Sequence, residues 1–170
     1  MKSFLDLAKS RYSVRAFSDR EVEREKIDYI LEAAQAAPTA KNYQPQRIYL
    51  ARSKDALDKL GQTTRCLYGA KQVFVVCSDD SDWVSPFNGR CSGEMDASIV
   101  CTHMMLAAED VGLGTCWVCW CDTDRIKQLL DLPENVTVQC LLPFGYPAEN
   151  AAPAARHTER KPISEVVTEI

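Results

Sequence analysis

The segment from Glu94 to Val111 constrains this chain more than any other, because its helical pattern is apolar on nearly every side. A helix without a wide polar face cannot sit on the surface of a monomer. It runs through the core or packs in a subunit interface. Its uncharged stretch, Ala97 to Ala108, falls short of the ~20 apolar residues a membrane span needs. The rest of the chain has to supply walls for it. Ile48–Ala51, Val73–Cys77, Thr115–Trp120 and Val136–Leu142 read as strands, and Pro143-Phe144-Gly145-Tyr146-Pro147 closes the last of them.

Further helices interleave with these strands. Ser3 and Asp6 can open a short N-terminal helix by mutual capping. From Val22 to Ala37 the residues Ile27, Ile30, Leu31 and Ala34 recur at helical spacing until Pro38 stops the run. Ser53 can cap a helix carrying Leu57 and Leu60. Asp122 or Thr123 can cap another carrying Ile126, Leu129 and Leu130, ended by Pro133. Gly112-Leu113-Gly114 ends the long apolar helix. No repeat or linker divides residues 1–170, so one domain, an α/β or α+β sandwich around a single sheet, is expected. The tail from Ala148 to Ile170 has little means of forming its own core and is expected to cross the body of the protein or a partner copy.

Composition narrows the class. With 46% apolar and 26% charged residues and a net charge of −4, the chain has the balance of a soluble globular protein and no basic excess for nucleic acid. The opening Met1-Lys2-Ser3-Phe4-Leu5-Asp6 lacks the apolar core of a secretory signal. A cytoplasmic protein with neither a nucleic-acid nor a membrane partner is the expectation. Its eight cysteines are then read as free thiols, since most lie among apolar neighbours, as in Val75-Val76-Cys77.

Several chemistries find little support. Cys116-Trp117-Val118-Cys119-Trp120-Cys121 offers one cysteine pair where structural zinc sites draw on two. In a strand, Cys116 would face away from Cys119 and Cys121, so packing beside the tryptophans is the expected role. There is no Gly-x-Ser-x-Gly elbow. Of the two histidines, His103 lies in the apolar helix as a hydrogen-bonded packing residue and His157 in the tail. Walker and dinucleotide glycine loops are missing as well, so a phosphate would have to be held by side chains.

Arginines supply that chemistry. In an extended Arg11-Tyr12-Ser13-Val14-Arg15, alternation puts both guanidiniums and the Ser13 hydroxyl on one side, spaced to grip an anion by charge-assisted hydrogen bonds. Each is worth roughly 1.5–3 kcal/mol, against about 0–1 for a solvated ion pair.

Taken together, these segments resemble the nitroreductase family of FMN-dependent oxidoreductases. Arg11-Tyr12-Ser13-Val14-Arg15-Ala16-Phe17 is similar to the family's Arg-x-Ser-x-Arg-x-Phe opening. Ala37-Pro38-Thr39-Ala40-Lys41-Asn42-Tyr43-Gln44-Pro45 resembles its Ala-Pro-Ser-x-x-Asn-x-Gln-Pro signature. Gly112-Leu113-Gly114-Thr115-Cys116-Trp117, Leu132-Pro133-Glu134-Asn135, Gly145-Tyr146-Pro147 and Arg160-Lys161-Pro162 follow in the family's order.

The resemblance implies a mixed, mostly antiparallel sheet flanked by helices, and a homodimer that exchanges its C-terminal tails and holds FMN between subunits. The cofactor-binding set it implies begins with Arg11, Tyr12, Ser13 and Arg15 on the phosphate, ribityl chain or pyrimidine edge, with Arg160 adding a phosphate charge. Pro38, Thr39, Ala40, Asn42 and Gln44 belong to the turn that reaches the partner's flavin, and Val118, Cys119 and Trp120 run along the isoalloxazine. No catalytic side chain is implied, because the flavin carries the chemistry between NADH or NADPH and a small-molecule acceptor such as a nitroaromatic or quinone, in ping-pong fashion. A flavin-storage protein without turnover and a flavin-dependent reductive dehalogenase are the alternatives. Two departures bear on the acceptor: the segment between Asp79 and Met95 is short, and Trp120 stands where many relatives have a smaller residue.

Overall fold

The computed structural model describes residues 3–170, so Met1 and Lys2 of the N-terminal reading lie outside it. Helix α1 (Phe4–Ser10) starts on the expected cap: the Asp6 amide donates to Ser3 Oγ at 3.2 Å and the Ser3 amide to Asp6 Oδ2 at 3.3 Å. Helix α2 (Arg24–Ala36) begins two residues later than its apolar pattern suggested. Val22 lies outside because it works as a hydrophobic staple, sharing the core with Ile27 on the first turn.

Strands β1 (Gln46–Ala51) and β2 (Gln72–Asp79) flank helix α3 (Lys54–Gly61), which Ser53 caps. Then come α4 (Gly93–Asp110), β3 (Gly114–Thr115), α5 (Thr123–Leu129, capped by Asp122) and β4 (Val136–Gly145). The sheet order is β1-β2-β4-β3 with every strand pair antiparallel; a lone bridge between Ser13 and Thr115 is parallel.

Alternation along β2 feeds two layers. Phe74 and Val76 face α2 and α4, with Val100, Met104, Cys140 and Leu142. Val73, Val75 and Cys77 face the other side, where Leu60 of α3 and Ile126 of α5 close over them. Phe74 and Phe144 stack with centroids 4.3 Å apart across β2 and β4. A register shift opposite Val76 and Cys77 leaves Gln139 as the extra residue of β4. That bulge flips the parity of the strand, so Val136 and Val138 join Leu141 in the second layer rather than Cys140 in the first.

Two strand boundaries differ from expectation: pairing with Gln72 and Val73 of β2 carries β4 onward, and Pro143 ends β3. β4 does not end at Leu142 but continues through Pro143 to Gly145, while the strand expected over Thr115–Trp120 stops after Thr115. Pro143 lies opposite Cys116: its carbonyl accepts from the Cys116 amide at 3.1 Å, but it has no N–H to return. The ladder breaks there and resumes for one bridge, where Val118 and Leu141 exchange bonds of 2.9 and 3.0 Å. Without a continuous strand the expected facing of the cysteines also fails, for Cys116 and Cys121 pack in the same apolar cluster while Cys119 is exposed.

Helix α4 is the central helix its sequence required. Ala97, Val100, Cys101, Met104 and Ala108 are buried against the sheet and α2, and Met95 and Ile99 remain exposed on the outer side. His103 is half-buried with Nδ1 2.9 Å from the Ile99 carbonyl, in keeping with a hydrogen-bonded packing role. The tail carries a short helix α6 (Ile163–Val166) and leaves Ile163, Val166, Val167 and Ile170 exposed.

Candidate functional site

The segment Arg11–Phe17 is held extended by neighbours at both ends. The Val14 amide donates to the Thr115 carbonyl at 2.9 Å, and the Phe17 amide to the Tyr68 carbonyl at 3.2 Å. Val14 and Phe17 are buried, which turns the polar side chains outward. The approach to β3 is close enough to require glycine: a Cβ on Gly114 would lie 3.0 Å from Val14 Cβ and nearer still to its methyl.

Arg11, Tyr12, Ser13 and Arg15 line a cavity of about 220 Å3, completed by Ala154, Arg156, His157 and Arg160 from the tail. His157 meets Tyr12 edge to face at 6.2 Å, pinning the tail there. Arg160 donates to the His157 and Glu159 carbonyls at 2.7 and 2.6 Å, so its fork is anchored beside the cavity. Among the described residues, no carboxylate lies within ion-pair distance of Arg11, Arg15, Arg156 or Arg160. Four cations drawn together without a countercharge repel one another, and a multivalent anion relieves that repulsion.

A second cavity of about 670 Å3 is lined by Gly61–Arg65 and by Trp120, Cys121 and Asp122. The Arg65 guanidinium lies 4.3 Å from the centre of the Trp120 ring, and Thr64 Oγ1 donates to the Trp120 carbonyl at 2.7 Å. Trp120 is 64% exposed, leaving much of this large aromatic surface uncovered.

The buried Cys116, the half-buried Cys66 and Cys121, and Tyr68 pack in one cluster, with Cys121 lining the second cavity. Burial pushes the Cys116 thiol up, against the pull of Arg15, Arg11 and a hydrogen bond with Ser13. A hydrogen bond with Cys66, then burial, raises Tyr68, while Arg15 acts the other way. Burial also lifts Cys121 to about 11, so this neutral thiol is a poor nucleophile. Thr115 Oγ1 is buried here with no hydrogen-bond partner. Among the described residues, no group of three or more His, Cys, Asp or Glu side chains is placed to hold a metal ion. Cys119 Sγ instead accepts from Trp117 Nε1 at 3.2 Å.

Pro38, Thr39, Ala40, Asn42 and Gln44 lie apart from both cavities within one chain. Their turn contains three non-glycine residues at positive φ: Lys41 (50°), Asn42 (59°) and Gln44 (52°). Such conformations cost about 1–2 kcal/mol per residue, less for asparagine, and persist where the surroundings enforce them. Bonds from the Ala40 amide to Asp96 Oδ1 (2.9 Å) and from the Gln44 amide to Thr39 Oγ1 (3.0 Å) do so.

The structure thus joins Arg11, Tyr12, Ser13, Arg15 and Arg160 at one cavity, places Trp120 at a second, and puts Val118 and Cys119 on the segment leading to it. Sequence reasoning missed Arg156, His157, Tyr68 and Arg65. Arg65 and Tyr68 carry no local signal, because only the return of the chain after α3 brings them beside Trp120 and Arg15. Asp96 did have one: it falls on the i, i+4 stripe with Val100, Met104 and Ala108, where a carboxylate needs a reason.

The molecule is thus an α+β sandwich with an arginine-lined cavity at one place and an aromatic cleft beside Trp120 at another. The sequence matches the Nitroreductase family over residues 8–73 and 65–146. A crystal structure of a nitroreductase family protein from Clostridium difficile 630 is 39% identical and superimposes with a TM-score of 0.92, covering 98% of both chains. An FMN-dependent nitroreductase from Clostridium difficile R20291 is 28% identical with a TM-score of 0.74, covering 86% of this chain and 89% of that one. An NADPH-dependent oxidoreductase of Staphylococcus haemolyticus is 30% identical over 171 residues, covering 89% of this chain and 68% of that protein. This chain belongs to the nitroreductase family and is a nitroreductase-like oxidoreductase.

Proposed function

We propose that the chain is an FMN-dependent NAD(P)H oxidoreductase that works as a homodimer and reduces an electron-poor acceptor such as a nitroaromatic or quinone. The observation that carries this reading is the cavity of four unpaired arginines, whose charge and hydrogen-bond donors suit a phosphate monoester. The orphaned Thr115 hydroxyl and the Ser13 hydroxyl beside it suit the polyol that follows such a phosphate. When bound, FMN supplies two-electron chemistry, taking a hydride from NAD(P)H and passing reducing equivalents to the acceptor in a ping-pong cycle.

The chain's own part is to bind and orient. Arg11, Arg156 and Arg160 would hold the phosphate, Ser13 and Thr115 the ribityl chain, and Arg15, beside Tyr68, would face the ring. A cation there would favour the anionic reduced form of the ring over the neutral oxidised one. Val118, Cys119 and Trp120 would edge the ring, with the cavity lined by Trp120 and Arg65 open to donor and acceptor in turn. Pro38, Thr39, Ala40, Asn42 and Gln44 serve the flavin of the other subunit, which is why they stand apart in a single chain. The exposed Phe4 and Leu5 of α1, Met95 and Ile99 of α4, and Ile163, Val166, Val167 and Ile170 of the tail support a dimer.

Titration of the purified protein with FMN, followed by anaerobic addition of NADH or NADPH, tests the proposal. Tight binding and bleaching of the flavin absorbance are expected, with recovery when a quinone or nitroaromatic is added. Binding without bleaching by either donor would instead indicate a storage protein.

A further inference from the structure

Asp96 is a carboxylate 2% exposed on the buried face of α4, and no cation lies within ion-pair distance of it among the described residues. Its charge is met by hydrogen bonds alone. The Ala40 amide donates to Oδ1 at 2.9 Å, and the Ser92 hydroxyl donates to Oδ2 at 2.7 Å. Ser92, 1% exposed, in turn accepts from the Trp83 amide at 3.1 Å, while its own amide donates to the Trp83 carbonyl at 2.9 Å.

The Trp83 N–H takes one lone pair of Ser92 Oγ, the Ser92 hydroxyl donates to Oδ2 of Asp96, and the Ala40 N–H donates to Oδ1. Both side-chain oxygens at position 96 thus act as acceptors, as those of a carboxylate can, whereas an amide offers one acceptor and has to lose or reverse one of the two bonds. One buried residue thereby ties two exposed segments to the start of α4. The first is the turn with three non-glycine residues at positive φ, and the second is the hairpin-like loop from Trp83 to Cys91, which carries Phe87 94% exposed. Lys41 of the turn also lies 5.8 Å from the Trp83 ring, so the two segments touch above the clamp.

Building on the FMN reading, we infer that Asp96 is a positioning residue: it holds the Thr39–Gln44 turn in the strained form offered to the partner's flavin and, through Ser92, couples that turn to the 83–91 loop. The loop is then part of the same flavin-facing unit. Neither segment is free to move without the other.

The test uses the full chain as wild type, D96N and S92A, with amide hydrogen exchange resolved by peptide, FMN titration, and visible absorption and circular dichroism of the saturated protein. D96N keeps the volume of the side chain and breaks the pattern of acceptors. It is expected to speed exchange in both 39–44 and 83–91, weaken FMN binding by about tenfold or more, and shift the flavin bands at saturation. S92A leaves the Ala40 bond in place, so exchange should rise in 83–91 alone, with a smaller loss of affinity. Unchanged exchange in the turn of D96N, or FMN affinity within about twofold of wild type, overturns the inference. Should D96N fail to fold, S92A decides: unchanged exchange in 83–91 sinks the coupling. Wild-type protein that binds no FMN would defeat the cofactor reading instead, and the exchange data would still judge the clamp.

Discussion

Replacing Arg11 by alanine separates a phosphate grip from a general structural role. The Arg11 backbone amide already closes α1 by donating to the Leu7 carbonyl at 3.1 Å, and alanine keeps that bond. What is lost is one half-buried guanidinium among the four that line the 220 Å3 cavity. A hydrogen bond to a charged group contributes about 1.5–3 kcal/mol, and each 1.4 kcal/mol is tenfold in affinity, so FMN binding should weaken roughly 10- to 100-fold. The low end is favoured because three arginines remain and their mutual repulsion falls when one is removed. Riboflavin, which lacks the phosphate, provides the control. Its affinity should change by less than about threefold, since the ring and polyol contacts are untouched. Fluorescence titrations of both ligands with both proteins complete the cycle. Equal losses for FMN and riboflavin would refute a phosphate role for Arg11, and no loss for either would refute the cavity as the anion site. Raising the salt concentration should also weaken FMN binding to wild type more than to the variant.

Four further outcomes are expected of the same fold. Gly114→Ala should cost about 1–3 kcal/mol in urea unfolding, because the new methyl meets Val14 where the N-terminal segment crosses β3. Phe144→Ala, which removes one ring of the stacked pair in the core, should cost about 3–5 kcal/mol by the same measurement. Brief alkylation of the native protein followed by peptide mapping should label the exposed Cys91 and Cys119 and spare Cys77, Cys101 and Cys140; burial pushes Cys77 up to about 12, and the Cys101 contact together with burial raises Cys140. Stability should fall in acid: Glu23 is lowered from 4.5 to about 2, chiefly by the Tyr146 hydroxyl, so its contribution is whole above about pH 4.5 and vanishes as pH drops through 2. Asp79 acts in the same sense, since bonds from Ser81 and the Arg47 charge outweigh the opposing effect of its burial, and Tyr146→Phe should flatten the Glu23 part of the acid titration.

What could be read from the sequence was set by how local each cause is. Helix starts at Ser3, Ser53 and Asp122 were legible because a cap acts within three residues. The interior place of β2 was legible because Val73 to Cys77 is an unbroken apolar run, and in the sheet it serves both faces. The strand over Thr115–Trp120 was misjudged because its end depends on Pro143, a residue that becomes its neighbour only in the folded sheet. The bulge at Gln139 was invisible for a like reason: Val136 and Val138 are apolar in either parity, and only the packing of α5 selects the second layer.

The site divides along the same line. Its arginine-lined end was legible because Arg11, Ser13 and Arg15 share one extended segment whose alternation shows which side they face, although Tyr12 lines the cavity as well. Arg160 could be placed there only through the family resemblance, since a tail without its own core can go anywhere its contacts allow, and the contact that anchors it is the Tyr12–His157 ring pair. The aromatic end was half legible: Trp120 stood out, but Arg65, stacked on its ring, comes from a loop with no pattern of its own. The turn at Pro38–Gln44 shows the limit most plainly. Its residues were recognisable as a unit, yet within one chain they meet neither cavity, and three of its backbone angles are strained toward solvent. The proposed dimer gives that turn a use, because a second copy would bring the strained segment held by Asp96 to the partner's site. Concentration-dependent dissociation is the direct check: FMN affinity should fall as the protein is diluted below its dimer constant, whereas a site complete in one chain would bind equally well at every dilution.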